Sequence, residues 1–275
     1  MTSVASGRAC ALVTGASGGL GMAFAERLAC DGHDLVLVAR RLDRVQQVAS
    51  HLQQTHGIQV TVIRADLNDT AALGEVEAVL ANNDAMTLLV NTAGFAGYYP
   101  FSSVEPKIID ELVGIHVRAV ARTTRAVLPG MIRRGHGGVI NVSGLLALAN
   151  TLPTSPLPPR AVYAGAKAFL LAFTQTLAGE IKGTGVRMQV CVPGRIETDF
   201  HAAQTIDMSK QPPAMSAADV VSASLAALAQ NEIVCIPGLA DPNLWHGLND
   251  SQLAVFRSAA MQASPAERYR LQPGD

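Results

Sequence analysis

Apolar and polar positions follow two regular patterns along this chain. Short apolar runs predict strands near 9–14, 35–39, 59–64, 87–91, 138–143, 187–192 and 232–236. Longer stretches with apolar residues at helical spacing predict helices near 19–31, 41–56, 70–82, 106–134, 162–183 and 216–230. Strands that are apolar throughout are typical of parallel sheets covered on both faces. The pattern therefore predicts an α/β fold, a seven-stranded, doubly wound parallel sheet with helices on both faces in three layers.

Two connections are longer than this regular alternation needs. Residues 145–161 contain four prolines, and residues 199–215 separate the sixth strand from the next helix. Both follow the carboxyl ends of strands, where open α/β sheets bind their ligands. Long connections in compact domains are often binding loops, so we expect both to contact substrate rather than to be simple solvated connectors.

No repeat or break in composition divides the chain, so residues 1–275 are predicted to form a single domain. A C-terminal extension, 240–275, lies beyond the last strand. Its apolar residues Trp245, Leu248, Leu253 and Phe256 have near-helical spacing. The extension could cover the substrate cleft or contact a neighbouring subunit, and the sequence leaves both alternatives open.

Composition excludes several classes of function. The net charge is −1, no basic stripe occurs and only 4% of residues are aromatic, which argues against a nucleic-acid partner. No apolar run approaches the ~18 residues of a membrane span, and no leader pattern opens the chain. The four cysteines lack metal-ligand spacing and are expected to be small core residues in a reducing compartment. These features predict a cytoplasmic protein with no metal and no membrane partner.

A glycine-rich turn follows the first predicted strand. The segment Thr14-Gly-Ala-Ser-Gly-Gly-Leu-Gly21 stands between an apolar run and a helix-like stretch. Such a turn lets the backbone approach a pyrophosphate, while the helix N-terminus supplies free N–H groups and partial positive charge. The alternative is an ordinary tight turn. The order of strand, glycine turn and helix favours a Rossmann-type dinucleotide site.

Tyr163 and Lys167 stand four residues apart within a predicted helix, so they share one face. A free phenol loses its proton only near pH ~10, and a neighbouring cation is expected to lower its pKa. The pair therefore predicts a proton donor with a charge beside it. Tyrosine and lysine at this spacing are also common on helix surfaces. The glycine turn upstream is what favours a catalytic role for this pair.

These motifs together resemble the short-chain dehydrogenase/reductase family, over roughly residues 8–240. The ordered set is Thr14-Gly-x-x-x-Gly-x-Gly21, Asp66-Leu67, Asn91-Thr-Ala-Gly94, Tyr163-x-x-x-Lys167 and Pro193-Gly-x-x-x-Thr198. The resemblance implies that Asp66 lies near the adenine, that Asn91 to Gly94 line the cofactor cleft, and that Ile196 and Thr198 meet the nicotinamide amide. It also implies that Lys167 binds the nicotinamide ribose. The predicted cofactor contacts are Gly15, Ser17, Gly19, Leu20, Gly21, Arg40, Arg41, Asp66, Leu67, Asn91, Ala93, Gly94, Tyr163, Lys167, Pro193, Gly194, Ile196 and Thr198.

The end of the second strand indicates which cofactor is used. An acidic residue there would bind the ribose 2′-hydroxyl, and a basic one the 2′-phosphate. Arg40 and Arg41 stand at this point and favour NADP(H), because guanidinium groups bind phosphate oxygens in bidentate fashion. Relatives that use NADP(H) often have a basic residue where this chain has Gly18. A solvated arginine pair is the alternative.

Two catalytic positions differ from the family. The resemblance implies an asparagine 25 residues before Asn141, where this chain has His116, and a serine at the position of Gly144. In relatives the asparagine holds a water that links the lysine to solvent. His116 could carry a proton relay or simply pack in its helix.

The missing serine would steady the reacting carbonyl by hydrogen bonding. Ser143 could replace it only if the strand end twists, because neighbouring strand residues point to opposite faces. Thr154 and Ser155 are further candidates. They lie in the 145–161 segment, which the resemblance implies is longer than usual before the tyrosine.

The sequence favours an NADPH-dependent oxidoreductase that reduces a ketone or aldehyde of a hydrophobic small molecule to an alcohol, reversibly. The predicted catalytic residues are Tyr163, Lys167, His116 and Ser143. Two alternatives remain: an NADP(H)-binding sensor or scaffold with impaired turnover, and a non-redox acid–base enzyme for dehydration or cyclisation. Helices 106–134 and 162–183 resemble those that pair in family dimers. Their small residues Ala164, Gly165, Ala166, Ala168 and Ala172 predict a homodimer or homotetramer.

Overall fold

The computed structural model describes residues 7–149, 152, 157–198 and 213–269. Within these ranges the strands are β1 Cys10–Thr14, β2 Asp34–Ala39, β3 Val60–Arg64, β4 Met86–Asn91, β5 Gly137–Val142, β6 Val186–Cys191 and β7 Val234–Cys235. The α-helices there are α1 Gly19–Cys30, α2 Leu42–His56, α3 Thr70–Asn82, α4 Pro106–Val113, α5 Ala119–Arg134, α6 Ala161–Glu180, α7 Ala217–Ala229 and α8 Asn243–Ala260. Each predicted strand and helix is found, so the predicted α/β fold is confirmed.

The strands form one parallel sheet in the order β3-β2-β1-β4-β5-β6-β7. The chain winds outwards in one direction from β1 to β3 and in the other from β4 to β7. The switch point lies between β1 and β4, and a sheet of this type leaves a crevice there at its carboxyl edge. The register pairs Thr14 of β1 with Asn91 of β4, and Asn91 with Asn141 of β5.

Two apolar cores cover the two faces of the sheet. Successive residues of β1 alternate between them, since Ala11 and Val13 belong to one core and Leu12 to the other. One core packs the sheet against α1, α2 and α7. The other packs it against α3, α5 and part of α6. This double burial explains why the strands are apolar throughout, and it confirms the three-layer arrangement.

The long helix predicted over 106–134 is interrupted. Residues Gly114–Arg118 form a π-helical turn between α4 and α5, and His116 lies at its centre. A π-turn inserts one extra residue into the helical hydrogen-bond pattern and is often found at functional sites. The backbone of Gly114 lies against Asn68, where a side chain at 114 would collide with the Asn68 Oδ1 atom.

The cysteine prediction holds for three of four residues. Cys10, Cys191 and Cys235 are buried, and all four cysteines are free thiols. Cys30 is exposed, so its predicted core position is wrong. It is the last residue of α1, where the helix end faces solvent.

The chain separates into two compact units, residues 1–237 and 238–275. The first contains the whole sheet. The second contains α8, which confirms the helical spacing of the extension, and a short 3-10 turn, Glu267–Tyr269. No side chain of α8 is buried. The prediction of a single domain over 1–275 stays a prediction. In the described part of the chain, no helix combines the length and apolarity that crossing a membrane requires.

Candidate active site

A cleft of about 840 Å³ opens at the carboxyl edge of the sheet, around the switch point. It brings together every predicted site residue except Asn91, Thr154 and Ser155. The predicted residues that line it are Gly15, Ser17, Gly19, Leu20, Gly21, Arg40, Arg41, Asp66, Leu67, Ala93, Gly94, His116, Ser143, Tyr163, Lys167, Pro193, Gly194, Ile196 and Thr198. Thr154 and Ser155 lie outside the described residues, as does most of 199–215.

The glycine turn has the geometry of a phosphate cradle. Gly15 and Gly19 adopt positive φ angles of 73° and 53°, which favour glycine. A Cβ at Gly15 would lie 2.8 Å from the Ala93 backbone. Helix α1 has no side-chain cap hydrogen bond at its N-cap, Gly18, and no acidic residue in its first turn. Its N-terminal N–H groups therefore face the cleft, and this arrangement fits a pyrophosphate.

A group of arginines lies beside this cradle. The Arg41 guanidinium donates to Ser17 Oγ at 3.1 Å, and its Nη2 would be 3.5 Å from a Cβ at Gly18. Arg41 thus places a basic side chain next to Gly18. Arg40 pairs with Asp66 at 3.8 Å, with both side chains largely exposed. Arg44, in the first turn of α2, also lines the cleft.

Asn91 lies beneath the cleft, not in its lining. Its side-chain amide donates to Asn141 Oδ1 at 3.0 Å, and its oxygen accepts from Thr123 Oγ1 at 3.0 Å. Thr14 Oγ1 accepts from the backbone N–H groups of Thr92 and Ala93 at 3.1 and 3.2 Å. These buried bonds join β1, β4 and β5 at the switch point. They hold the backbone of residues 92–94 against the glycine turn.

Helix α6 presents Tyr163 and Lys167 to the cleft, as the spacing predicts. The Lys167 ammonium lies 5.5 Å from the Tyr163 ring centre and donates to the Val142 carbonyl at 3.0 Å. Both side chains are buried. Tyr163 is held by ring contacts on two sides, with His116 at 5.3 Å and Tyr98 at 5.6 Å between ring centres, both edge to face.

Burial controls the protonation of this pair. It raises the pKa of the Tyr163 phenol well above its ordinary value, and the Tyr98 phenol raises it further. It also lowers the pKa of Lys167 to about 7. The Tyr163 pKa is therefore raised in this arrangement, and not lowered as predicted, because desolvation of the phenolate is the largest effect. Tyr163 keeps its proton near neutral pH.

His116 is buried among the catalytic candidates. Its Nε2 lies 3.0 Å from the Phe95 carbonyl oxygen, which can only accept, so Nε2 carries the proton of a neutral imidazole. Burial, and secondarily the charge of Lys167, lower the pKa of His116 well below 6.5. The imidazole occupies the space that a Cβ at Gly94 would need. This environment favours packing of His116 over a proton relay, since an imidazolium there would be poorly solvated.

The two residues that follow β5, Ser143 and Gly144, offer no free hydroxyl proton to the cleft. The Ser143 hydroxyl donates to the Lys167 backbone carbonyl at 2.8 Å, so its single proton is already used. Gly144 has an extended backbone. The nearest atom to a Cβ built there is the Pro193 carbonyl oxygen at 3.7 Å, an ordinary van der Waals contact. The position therefore has room for a side-chain Cβ, such as that of the serine that the family resemblance implies.

The outer part of the cleft is apolar. Its walls come from the segment after β5, from the segment after β4 and from the π-turn, and they include Leu145, Leu146, Ala149, Leu152, Leu157, Phe95, Tyr98 and Ile115. Arg160, which is buried, holds the first of these segments by donating to the carbonyls of Ala149, Leu152 and Pro158 at 2.8 to 3.1 Å.

Sequence reasoning missed three residues that matter here. Arg44 could have been found, because it lies in the first turn of α2, three residues after the N-cap Arg41. Tyr98 lies in an irregular segment with no periodicity, and Arg160 has no motif around it. Only the folded chain brings these two side chains to the cleft.

The fold and the cleft define a dinucleotide-binding α/β protein. Comparison with known proteins agrees: residues 9–209 match the short chain dehydrogenase family. A short-chain dehydrogenase from Sphingobium yanoikuyae, solved in complex with NADPH, is 32% identical. It has a TM-score of 0.89, with 95% of this chain and 100% of that chain covered. The bulky-bulky ketone specific alcohol dehydrogenase of Comamonas testosteroni is 31% identical with a TM-score of 0.85, over 96% and 99% of the two chains.

Curated relatives give the same family. The very-long-chain 3-oxoacyl-CoA reductase of Mus musculus is 30% identical over 204 residues, which cover 73% of this chain and 63% of that protein. The chain spans less than two thirds of the length of this and other such reductases that it matches. The chain belongs to the short-chain dehydrogenase family of oxidoreductases.

Proposed function

We propose that this protein is an NADPH-dependent reductase that converts a ketone or aldehyde of a hydrophobic small molecule to an alcohol, reversibly. The observation that carries the proposal is the position of Tyr163, a buried phenol that keeps its proton, beside Lys167 in the same cleft as the glycine turn. Reduction of a carbonyl needs an acid that holds a proton until the oxygen becomes basic, and Tyr163 meets that need.

The chemistry divides between the cofactor and the chain. When bound, NADPH supplies a hydride to the carbonyl carbon. Tyr163 gives its phenolic proton to the carbonyl oxygen, so the C=O double bond becomes a C–O single bond and new C–H and O–H bonds form. The Lys167 ammonium, held at the Val142 carbonyl, then stabilises the phenolate that remains. His116 braces the Tyr163 ring and the backbone at Phe95, which fixes the direction of the hydroxyl.

The choice of NADP(H) rests on the arginines. Arg40, Arg41 and Arg44 line the cleft near the end of β2, where a ribose 2′-phosphate would lie. Arg40 is partly neutralised by Asp66, which leaves Arg41 and Arg44 as the main sources of positive charge. The relative from Sphingobium yanoikuyae is named as an NADPH complex, which supports the same choice.

The class of substrate follows from the walls of the cleft. Leucine, phenylalanine and tyrosine side chains surround the space beyond Tyr163, so an apolar body next to the carbonyl group would be favoured. Relatives are named for bulky ketones and for 3-oxoacyl-CoA thioesters, both of which place the carbonyl in an apolar frame. We propose that the protein acts in the cytoplasm as a homo-oligomer.

The test follows NADPH absorbance with bulky ketones, β-keto esters and 3-oxoacyl thioesters, for the native chain and for Tyr163→Phe. Loss of the proton donor should reduce kcat by about 10²–10⁴ on the best substrate, with NADPH affinity retained. Tyr99→Phe is the matched control, since Tyr99 does not line the described cleft. Saturable NADPH binding without turnover of any carbonyl would favour the sensor alternative. Loss of water from a hydroxyacyl substrate without NADPH consumption would favour the non-redox alternative.

A further inference from the structure

Gly144 follows β5 at a point where the fold does not require a glycine. Its φ angle of 167° and ψ angle of 159° are extended, a conformation that any residue can adopt. The nearest described atom to a Cβ built there is the Pro193 carbonyl oxygen at 3.7 Å, an ordinary contact. A Cβ at Gly94 of the same cleft would instead overlap the His116 ring. Neither backbone strain nor close packing therefore explains the missing side chain at 144.

The position lies next to the proposed proton donor. The two residues before Gly144 are joined to Lys167, since the Lys167 ammonium donates to the Val142 carbonyl at 3.0 Å and the Ser143 hydroxyl donates to the Lys167 carbonyl at 2.8 Å. Gly144 continues this segment beyond the edge of the sheet, towards the start of α6, where Tyr163 lies one turn before Lys167. Both Gly144 and Tyr163 line the cleft. The missing side chain thus leaves space beside the place where a carbonyl would meet Tyr163.

The backbone on both sides of Gly144 is held in place. The Ser143 N–H donates to the Cys191 carbonyl at 2.8 Å, and the Leu145 N–H donates to the Pro193 carbonyl at 2.9 Å. These bonds tie the segment after β5 to β6 and to the residues that follow β6. A side chain added at position 144 would therefore extend into the cleft rather than displace this wall.

Apolar walls bound the cleft on two sides of this point. Phe95 belongs to the segment after β4, whereas Leu145 and Leu146 belong to the segment after β5, beside Gly144. The carbon of a ketone carries two substituents, and a cleft with two apolar walls can bury both of them. A glycine at 144 leaves the β5 side open for the second substituent.

We propose that Gly144 determines substrate specificity, because the missing side chain beside Tyr163 admits a second large apolar group on the carbonyl carbon. This role rests on the proposed function and names its substrates more closely. They are ketones with a group larger than methyl on each side, in preference to aldehydes and methyl ketones. A side chain at 144 would exclude the second group by overlap, since closely packed sites tolerate little added volume.

The native chain gives the first test, with alkyl phenyl ketones whose alkyl group grows from methyl to ethyl, propyl and butyl. Each methylene that becomes buried favours binding, so kcat/KM should rise or stay level along the series. Loss of NADPH absorbance at saturating NADPH measures it. A fall of more than about tenfold from the methyl to the butyl ketone would show that the second group does not fit, and would overturn the proposal.

Gly144→Val fills the space and tests the residue directly. The ratio of kcat/KM for the butyl ketone to kcat/KM for the methyl ketone should fall by about 10–100-fold, because a misfit of one or two methylenes has an effect of this size. Gly144→Ala should lower the ratio less, by about threefold or more. The ratio does not depend on the concentration of folded enzyme, so partial misfolding cannot imitate the effect. If Gly144→Val does not fold, Gly144→Ala decides by the same ratio.

Gly74→Val is the matched control. A Cβ at Gly74, on α3, meets no atom within 4 Å, and Gly74 is not among the residues that line the described cleft. Its ratio should equal that of the native chain. A ratio in Gly144→Val within a factor of three of native would overturn the role of Gly144. Turnover of these ketones that persists in Tyr163→Phe would instead contradict the proposed function, so the two failures are distinguishable.

Discussion

At the scale of single residues, burial shifts the pKa values of the groups in the cleft more than neighbouring charges do. Tyr163, Lys167 and His116 are almost fully removed from water, and each is shifted towards its neutral form. A neutral phenol is the form that a reductase needs. A lysine with a pKa of about 7 is only partly charged near neutral pH, so an anion that favours its charged form should link cofactor binding to protonation.

The first prediction tests this linkage at Lys167. Its pKa of about 7 leaves it mostly neutral at pH 8 in the free protein. The phosphates and ribose oxygens of NADPH favour the charged form and raise its pKa, so binding takes up a proton. Affinity should therefore fall as pH rises above 7. Calorimetry at pH 8 in buffers of different ionisation enthalpy should give an uptake of about 0.5–0.9 proton.

Lys167→Met should abolish this uptake, although it also weakens binding. Lys182→Met is the control, because Lys182 is exposed beyond α6. An uptake near zero for the native protein would mean that Lys167 is charged before the cofactor binds.

The second prediction concerns Arg41 and the choice of cofactor. Arg41→Ala should raise the NADPH dissociation constant by about 10–100-fold and leave that of NADH within a factor of three, because a charge-assisted phosphate bond contributes ~1.5–3 kcal/mol. Fluorescence titration with both cofactors measures this, with the exposed Arg133→Ala as control. Equal losses for NADPH and NADH would place Arg41 away from the 2′-phosphate.

The third prediction is a dependence of stability on acid. The pKa of His116 is lowered on folding. Below pH ~6.5 the unfolded chain therefore binds a proton at this residue that the folded chain does not bind. Stability from this group is thus present above pH ~6.5 and is lost as pH falls. Between pH 7 and 5.5 the free energy of unfolding should drop by about 1 kcal/mol more for the native protein than for His116→Asn, in urea titrations.

His51→Asn provides the matched control for that measurement, since His51 is exposed on α2. If the native protein and His116→Asn lose stability in parallel while His51→Asn behaves as native, then His116 is already charged or hydrated in the fold.

At the scale of elements, local patterns predicted the sheet and helices well. The helix expected over 70–82 is Thr70–Asn82, because Asp69 caps it by accepting from the Ala72 N–H at 2.8 Å. The π-turn at Gly114–Arg118 could not be predicted, since its sequence has the same periodicity as the helix around it. The turn coincides with a tertiary contact, the close approach of Asn68 to Gly114, which sequence periodicity does not show.

The substrate wall likewise depends on contacts between distant residues. The segment after β5 was predicted from its length and prolines, but the residue that holds it, Arg160, was not. The buried Arg160 guanidinium donates to three backbone carbonyls of this segment. Sequence periodicity carries no information about such a contact.

The fourth prediction follows from Arg160. Arg160→Met keeps much of the side-chain volume and leaves the carbonyls of Ala149, Leu152 and Pro158 without this donor. The free energy of unfolding should fall by about 1–3 kcal/mol, and KM for an apolar ketone should rise at unchanged NADPH affinity. Urea unfolding and steady-state kinetics measure the two effects. Arg133→Met is the control, and a rise in the NADPH dissociation constant alone would contradict this role.

At the scale of the whole molecule, one face of α6 is exposed among the residues that the structure describes. Gly165 and Ala172 are exposed on it, and Phe169 and Phe173 stack at 5.3 Å between ring centres while only partly buried. A Cβ at Gly165 would meet no atom within 4 Å. Small and aromatic residues at a helix surface permit close packing of a second helix, in agreement with the predicted homo-oligomer.

The fifth prediction tests that association. The native protein should elute as a dimer or tetramer in size-exclusion chromatography with light scattering at micromolar concentration. Ala172→Arg should shift it towards monomer, because a desolvated, unpaired charge is costly in a helix contact. Ala81→Arg makes the same change at an exposed position of α3 and should elute as native. A native protein that is monomeric at all concentrations would exclude this interface.

The most direct test of the central proposal follows the hydride itself. NADPH with deuterium at nicotinamide C4 is incubated with the best ketone substrate, and the alcohol is analysed by mass spectrometry for the native protein and Tyr163→Phe. We predict that the native protein forms an alcohol with one deuterium at the carbinol carbon. The rate at which this alcohol forms should fall by about 10² or more in Tyr163→Phe. Product that forms without deuterium, or at the same rate in both proteins, would contradict it.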